Sequence, residues 1–153
     1  MSWKKRLLSF VVVVLIVIQF IPVDRENPPV TAELKASPEL MAVFRRACYD
    51  CHSNETKWPW YSRIAPVSFL VARDVHEGRE HLNFSRWGES PPDRQAKKTE
   101  EIWEEVSEGE MPLAIYKPLH PEAKLEQADL DLIRAWTGGK SGGHVDDEGE
   151  DEH

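Results

Sequence analysis

Cysteine and positive charge are both in short supply in this chain. Its 153 residues include two cysteines, Cys48 and Cys51, whereas a disulfide framework needs pairs spread along the sequence. Asp and Glu outnumber Lys and Arg by 27 to 19, which gives a formal charge of −8. No dense basic cluster is present to contact phosphates, so the sequence excludes nucleic acid as a partner.

Strand patterns are missing as well, because no segment clearly alternates apolar and polar residues. Apolar residues recur instead at helical spacing. Ser37 and Pro38 form a good helix start, with serine as N-cap and proline at the first helical position. We predict an all-α domain with four helices, which cover about residues 37–48, 66–82, 93–108 and 126–137.

The N terminus holds the one long apolar run. Residues 7–21 are apolar except for Ser9 and Gln19, and a basic stretch precedes them. This pattern is typical of a secretory signal or signal-anchor, and no small-residue cleavage site follows. We predict a transmembrane helix over residues 3–23, which would place the protein in the bacterial cytoplasmic membrane as a single-pass protein with its C-terminal domain in the periplasm. A cleaved signal peptide and a buried core helix are the alternatives.

The rest of the chain divides by composition. Residues 1–23 are the predicted signal-anchor, and the polar, proline-containing residues 24–36 are interpreted as a linker. Residues 37–139 form the predicted functional domain. Residues 140–153 are acidic and glycine-rich, which predicts a disordered tail.

The pentapeptide Cys48-Tyr49-Asp50-Cys51-His52 has the C-x-x-C-H spacing of a c-type haem attachment site. Two thiols three positions apart can each add to one haem vinyl group, and the adjacent histidine can bind the iron. The competing interpretations are a thioredoxin-type dithiol, which should lie near a βαβ pattern, half of a zinc site, and coincidence. The predicted export signal favours haem.

A longer stretch of the chain resembles the bacterial haem-binding domain family of short, membrane-anchored, c-type cytochrome-like proteins. The resemblance extends over about residues 15–137 and implies a mostly helical, cytochrome-c-like domain around one covalent haem. The matching positions are Gln19, Asn27-Pro28-Pro29, Cys48-x-x-Cys51-His52-Ser53-Asn54-x-Thr56, Pro59-Trp60-Tyr61, Pro66, His76-x-Gly78-Arg79, Leu82-Asn83-Phe84-Ser85-x-Trp87, Gly109-x-Met111-Pro112, Tyr116 and Leu119-His120-Pro121.

The second axial ligand of the iron is predicted to be Met111. It precedes Pro112 in a loop between two predicted helices, and small cytochromes c, to which this region is similar, use a Met-Pro pair there. Met111 filling a core gap is the alternative role, and His76 is the alternative ligand. Trp60, Tyr61 and Arg79 are candidate donors to the haem carboxylates, or else ordinary packing and surface residues.

These features predict an electron carrier more than an enzyme. A Met/His haem has a raised reduction potential, which suits one-electron transfer with a redox partner protein. A haem-based sensor or gas-binding module is the second hypothesis. A peroxidase-like enzyme ranks last, because no set of acid and base residues stands out for it.

Overall fold

The structure is a computed structural model that describes residues 2–138. These residues form helices and turns and contain no strand, so the all-α prediction is confirmed for this part of the chain. The predicted acidic tail lies outside the described residues. The α-helices are α1 (Trp3–Val17), α2 (Pro38–Ala47), α3 (Tyr49–His52), α4 (Val67–His81), α5 (Pro92–Ser107) and α6 (Gln127–Thr137), and the 3₁₀ helices are Ile18–Phe20, Trp60–Arg63, Phe84–Glu89 and Pro121–Ala123.

The prediction of an N-terminal transmembrane helix is wrong. Helix α1 has 15 residues and measures about 22 Å at 1.5 Å per residue, short of a hydrocarbon core of about 30 Å. Among the described residues, no helix has both the length and the apolar character needed to cross a membrane. The same finding contradicts the predicted single-pass location in the cytoplasmic membrane.

Gln19 explains where this apolar helix ends. The backbone tightens into a 3₁₀ turn after Val17 and is extended at Ile21. The Gln19 amide donates to the carbonyls of Leu15 (2.8 Å) and Ala65 (3.0 Å) and accepts a hydrogen bond from the Ala65 N–H (3.0 Å). The side chain that interrupts the apolar run therefore binds the backbone just before α4.

Residues 19–34, here called the N-terminal arm, lie along the helical body. Beyond Gln19, the Arg25 guanidinium donates to the Ser62 carbonyl at 3.1 Å, and the Leu34 N–H donates to the Phe84 carbonyl at 2.8 Å. Most of the segment interpreted as a linker belongs to this arm, and side-chain and backbone hydrogen bonds hold it to the domain.

The core lies where α2, α5 and α6 meet the 3₁₀ turn Phe84–Glu89. Phe44 of α2 is fully buried and stacks on Phe84, with ring centroids 4.8 Å apart, and its edge meets Trp136 of α6 at 5.4 Å. Tyr49 also stacks on Phe84, with ring centroids 5.5 Å apart. The contact between Phe44 and Trp136 joins α2 to α6, and Tyr49 extends the core directly into the cysteine motif.

Candidate functional site

The cysteine pair lies on one tight helical turn. Cys48 ends α2, and its carbonyl accepts hydrogen bonds from the backbone N–H groups of Cys51 (3.2 Å) and His52 (2.9 Å). Positions three apart on such a turn are neighbours on one face. Both cysteines are free and partly buried, and burial raises the pKa of Cys48 to about 12 and that of Cys51 to about 11. Both thiols are therefore protonated near neutral pH.

This environment disfavours two of the competing interpretations of the motif. A dithiol oxidoreductase lowers the pKa of its attacking cysteine, whereas burial raises both pKa values here. A structural zinc site needs four ligands, and within residues 2–138 no three His, Cys, Asp or Glu side chains are grouped to hold a metal ion.

The imidazole of His52 is fixed through its Nδ1 atom. This nitrogen lies 2.9 Å from the Gly78 carbonyl oxygen and 3.2 Å from the Leu82 carbonyl oxygen. Carbonyl oxygens only accept, so Nδ1 carries the hydrogen and the lone pair lies on Nε2. Burial lowers the pKa of His52, which keeps the ring neutral. Nε2 makes no hydrogen bond to the described residues, and this arrangement is the one metal-binding histidines use.

Gly78 allows α4 to pass this close to the motif. A Cβ atom at this position would lie 2.7 Å from the carbonyl oxygen of Cys51 and 3.3 Å from its Cβ. A side chain here would therefore push α4 away from the cysteine turn. The same glycine also presents its carbonyl to His52, so one residue sets both the approach of the helix and the orientation of the imidazole.

The residues after His52 form a buried, hydrogen-bonded loop. The Ser53 hydroxyl donates to the Tyr49 carbonyl (2.7 Å), and the Asn54 N–H donates to the Ser85 hydroxyl (2.9 Å). The Thr56 hydroxyl donates to the Asp50 carbonyl at 2.8 Å. These polar side chains are almost fully buried, so they hold the loop rather than face solvent.

Arg79, a predicted donor to the haem carboxylates, joins this loop to the N-terminal arm. Its guanidinium donates to the Ser53 carbonyl (2.8 Å), the Glu26 carbonyl (2.9 Å), the Asn27 side-chain oxygen (2.7 Å) and the Thr56 hydroxyl (2.9 Å). Four of its five N–H groups are thus bound to protein acceptors.

The loop that carries Met111 is bound to the cysteine motif. Met111 is partly buried against the aromatic core. Five residues later, the Tyr116 hydroxyl donates to the Asp50 carboxylate at 2.7 Å, and Asp50 lies between the two cysteines. The Tyr116 ring stacks on His120 at 3.9 Å, and the Tyr61 hydroxyl lies 2.8 Å from His120 Nε2. Met111 and Cys48 thus pack against the same core, and Tyr116 binds the loop to the motif in a network that includes Tyr61.

Two other predicted site residues make no hydrogen bond to this network. Trp60 is 72% exposed and meets Tyr61 edge to face. His76 is partly exposed, and its Nε2 lies 3.8 Å from the Asp24 carboxylate of the N-terminal arm. His76 therefore faces the N-terminal arm, and the choice between Met111 and His76 as second ligand stays a prediction.

A family model described as a haem-binding domain matches residues 13–138, which is most of the chain. The chain belongs to the haem-binding domain family. The predicted family resemblance is confirmed, and haem is the cofactor of this domain. The match begins inside α1, so it includes the N-terminal arm. No curated protein and no solved structure matches this haem-binding domain.

The residues of the motif fit haem chemically. Two cysteines on one turn suit addition to paired vinyl groups, and a neutral imidazole with its lone pair on Nε2 suits iron. The hydrogen bond from Nδ1 to Gly78 strengthens the imidazole as a ligand, because it increases the electron density of the ring.

Sequence reasoning missed the roles of Asp50, Gly78 and Tyr116. Asp50 occupies a variable position of the motif, yet it accepts hydrogen bonds from the Tyr116 hydroxyl and the Lys57 N–H. Gly78 and Tyr116 are among the positions that match the family. Nothing local in the sequence predicts that Gly78 approaches Cys51, 27 positions away, or that Tyr116 binds Asp50, 66 positions away. A glycine inside a helical pattern was the available signal, because such a residue often marks a close approach.

Proposed function

We propose that this haem-binding domain is a c-type cytochrome that transfers single electrons to and from a redox partner protein. The orientation of His52 carries the proposal. With its Nδ1–H donated to the Gly78 and Leu82 carbonyls, the ring offers Nε2 to iron from a position next to both cysteines. This arrangement supports iron ligation by His52 beside covalent attachment at Cys48 and Cys51.

Cys48 and Cys51 would hold the haem covalently. Each thiol would add across one vinyl group, with the sulfur bonding to one carbon and the thiol hydrogen going to the other, so no oxidant and no leaving group would be needed. Partial burial of both cysteines protects the thiols from side reactions before attachment. The cofactor supplies the one-electron ferric/ferrous couple, while the protein fixes its orientation and the ligand set.

Met111 would supply a second ligand to the iron. Its side chain is partly buried on the same aromatic core that Cys48 contacts, and Tyr116 binds the rest of its loop to Asp50. A thioether favours ferrous iron and raises the reduction potential. The Met111 loop would also exclude water from the iron, which suits electron transfer better than gas binding.

Haem retention tests the attachment. Protein made with a c-type maturation system should keep its haem through denaturation and acid–acetone extraction. The single variants Cys48→Ala and Cys51→Ala should keep one thioether bond, and the double variant should lose all covalent haem. Free extraction of haem from the unaltered protein would refute covalent attachment.

The absorption spectrum and the potential test the ligand set. Met111→Leu should abolish the weak far-red sulfur-to-iron band of the oxidised protein and lower the reduction potential. Met41→Leu is the matched control, because Met41 is also partly buried against the aromatic core. A high-spin spectrum of the unaltered protein, or equal effects of the two variants, would remove Met111 from the proposal.

A further inference from the structure

A net positive cleft lies between the end of α4 and the start of α5, beside the 3₁₀ turn Phe84–Glu89. Its volume is about 270 Å³. Four cationic and two acidic side chains line this basic cleft: Arg79, Arg86, Arg94 and Lys98, with Glu80 and Glu89. The whole chain has a formal charge of −8, so the cleft is opposite in sign to the protein as a whole. Such a cleft attracts anionic groups.

Arg94 is the cation of the basic cleft that is still available for a ligand. The other three, Arg79, Arg86 and Lys98, already bind protein acceptors. The exposed guanidinium of Arg94 makes no hydrogen bond or ion pair to residues 2–138. It can therefore bind a carboxylate without losing a contact within this part of the protein.

Gln95 holds one wall of the cleft in place. Its side-chain amide donates to the Ser90 carbonyl (2.7 Å) and to the Trp87 carbonyl (3.3 Å). These two hydrogen bonds join the 3₁₀ turn to the first turn of α5. Because Arg94 directly precedes Gln95 in that helix, it is held close to the backbone that carries Trp87.

The chain that follows α6 begins beside the basic cleft. The ring of Trp136, near the end of α6, lies 5.9 Å from the ring of Trp87, which lines the cleft. Helix α6 ends at Gly138. From Gly138 to Asp146, an extended chain spans up to about 27 Å. The acidic residues that begin at Asp146 are therefore within reach of the cleft.

We propose that the acidic segment, residues 146–152, binds the basic cleft through Arg94. Six of the seven residues in this segment are Asp or Glu, so its charge is opposite to that of the cleft. The segment follows the range of the family match, which ends at residue 138. The contact is thus a property of this chain rather than of the haem-binding domain family.

The covalent connection to α6 makes this contact effective. A single exposed ion pair is weak, because water and salt screen it. A short tether, however, holds the acidic segment at an effective concentration of about a millimolar or more. The planar fork of the Arg94 guanidinium also matches the geometry of a carboxylate. While it is bound, the segment covers the cleft and competes with other anions for it.

Neutralising the acidic segment tests the contact. The amide variant of the full chain carries Asp146→Asn, Asp147→Asn, Glu148→Gln, Glu150→Gln, Asp151→Asn and Glu152→Gln. In haem-loaded, 15N-labelled protein, the Nε–H signal of Arg94 should shift between the unaltered protein and the amide variant. About 0.5 M NaCl should shift it in the same direction in the unaltered protein, because salt screens the contact.

Arg63 is the matched control for this measurement. It is exposed and also makes no hydrogen bond or ion pair to the described residues, and it lies on the 3₁₀ helix Trp60–Arg63, outside the basic cleft. Its Nε–H signal should not respond to the amide changes. An Arg94 signal that stays in place, or that moves no more than the signal of Arg63, overturns the proposal.

Inorganic phosphate measures whether the acidic segment covers the cleft. At constant ionic strength, phosphate should bind the amide variant at least about threefold more tightly than the unaltered protein, because the segment no longer competes for Arg94. Arg94→Gln in both proteins should remove this difference, whereas Arg63→Gln should leave it. Equal affinities, or a difference that survives Arg94→Gln, would mean that the segment does not occupy the cleft. Neither readout depends on covalent attachment of haem, so the proposal stands or fails independently of the proposed function.

Discussion

Gly78→Ala is the sharpest test of how the structure holds His52. The new Cβ would lie 2.7 Å from the Cys51 carbonyl oxygen and 3.2 Å from its carbonyl carbon. Both are backbone atoms, so no side-chain rotation relieves the overlap. Helix α4 must instead move away by about half an ångström to restore ordinary van der Waals contact. This movement lengthens the 2.9 Å contact between His52 Nδ1 and the Gly78 carbonyl.

Two opposing effects determine the change in the free energy of unfolding. Alanine gains about 1 kcal/mol over glycine inside a helix. Overpacking typically costs about 1–3 kcal/mol, and weakening the His52 hydrogen bond adds about 0.5–1.5 kcal/mol. We expect a net destabilisation of about 1–3 kcal/mol, because the overlap is with backbone that α2 and α3 hold in place. Less donation from His52 Nδ1 should also weaken the imidazole as a ligand and raise the reduction potential.

Urea unfolding of the haem-loaded protein and a redox titration measure the two effects. Gly88→Ala is the matched control, because its nearest contact is the Ala32 Cβ at 3.1 Å, in the N-terminal arm and away from the motif. That variant should leave the potential unchanged. A Gly78→Ala protein that is as stable as the unaltered one, with an unchanged potential, would show that α4 does not position His52.

Two further predictions concern the contacts around this site. Tyr116→Phe removes the hydrogen bond to Asp50 and should lower the free energy of unfolding in urea by about 1–2 kcal/mol. Exogenous imidazole should also displace Met111 more readily in this variant. An unchanged imidazole affinity would show that the hydrogen bond to the motif does not hold the Met111 loop. Burial alone would raise the pKa of Asp129, but the hydrogen bond from Arg46 helps to hold this pKa below 3.8. The resulting contribution to stability is present above pH 3.8 and is lost as the pH falls through the lower pKa of the folded protein. Arg46→Gln leaves only the hydrogen bond from the Glu126 N–H to oppose burial, so acid unfolding, followed by far-UV circular dichroism, should begin at a higher pH. An unmoved acid transition would contradict this linkage.

The helical part of the fold could be predicted because its signals are local. Ser37 accepts a hydrogen bond from the Leu40 N–H as an N-cap, and Gly138 ends α6 with a positive φ of 65°. The apolar positions of α2, such as Phe44, are buried as their spacing predicts. The prediction of a transmembrane helix was wrong because it relied on the apolar composition of residues 7–21. Gln19 within this run bonds to Ala65, 46 positions away, where the helix ends, and no local signal predicts that contact.

By itself, the sequence predicted haem binding, which the family match confirms, because the motif of two cysteines three positions apart with a histidine beside them is local; covalent attachment through it stays a prediction. Only the tertiary structure decided how that chemistry is held. The carbonyl of Gly78 assigns the His52 tautomer, and the Asp50 carboxylate receives Tyr116 from 66 positions along the chain. The physical reason is that hydrogen bonds and steric exclusion depend on which atoms come within about 3 Å. That proximity comes from the packing of α4 and the Met111 loop around the motif.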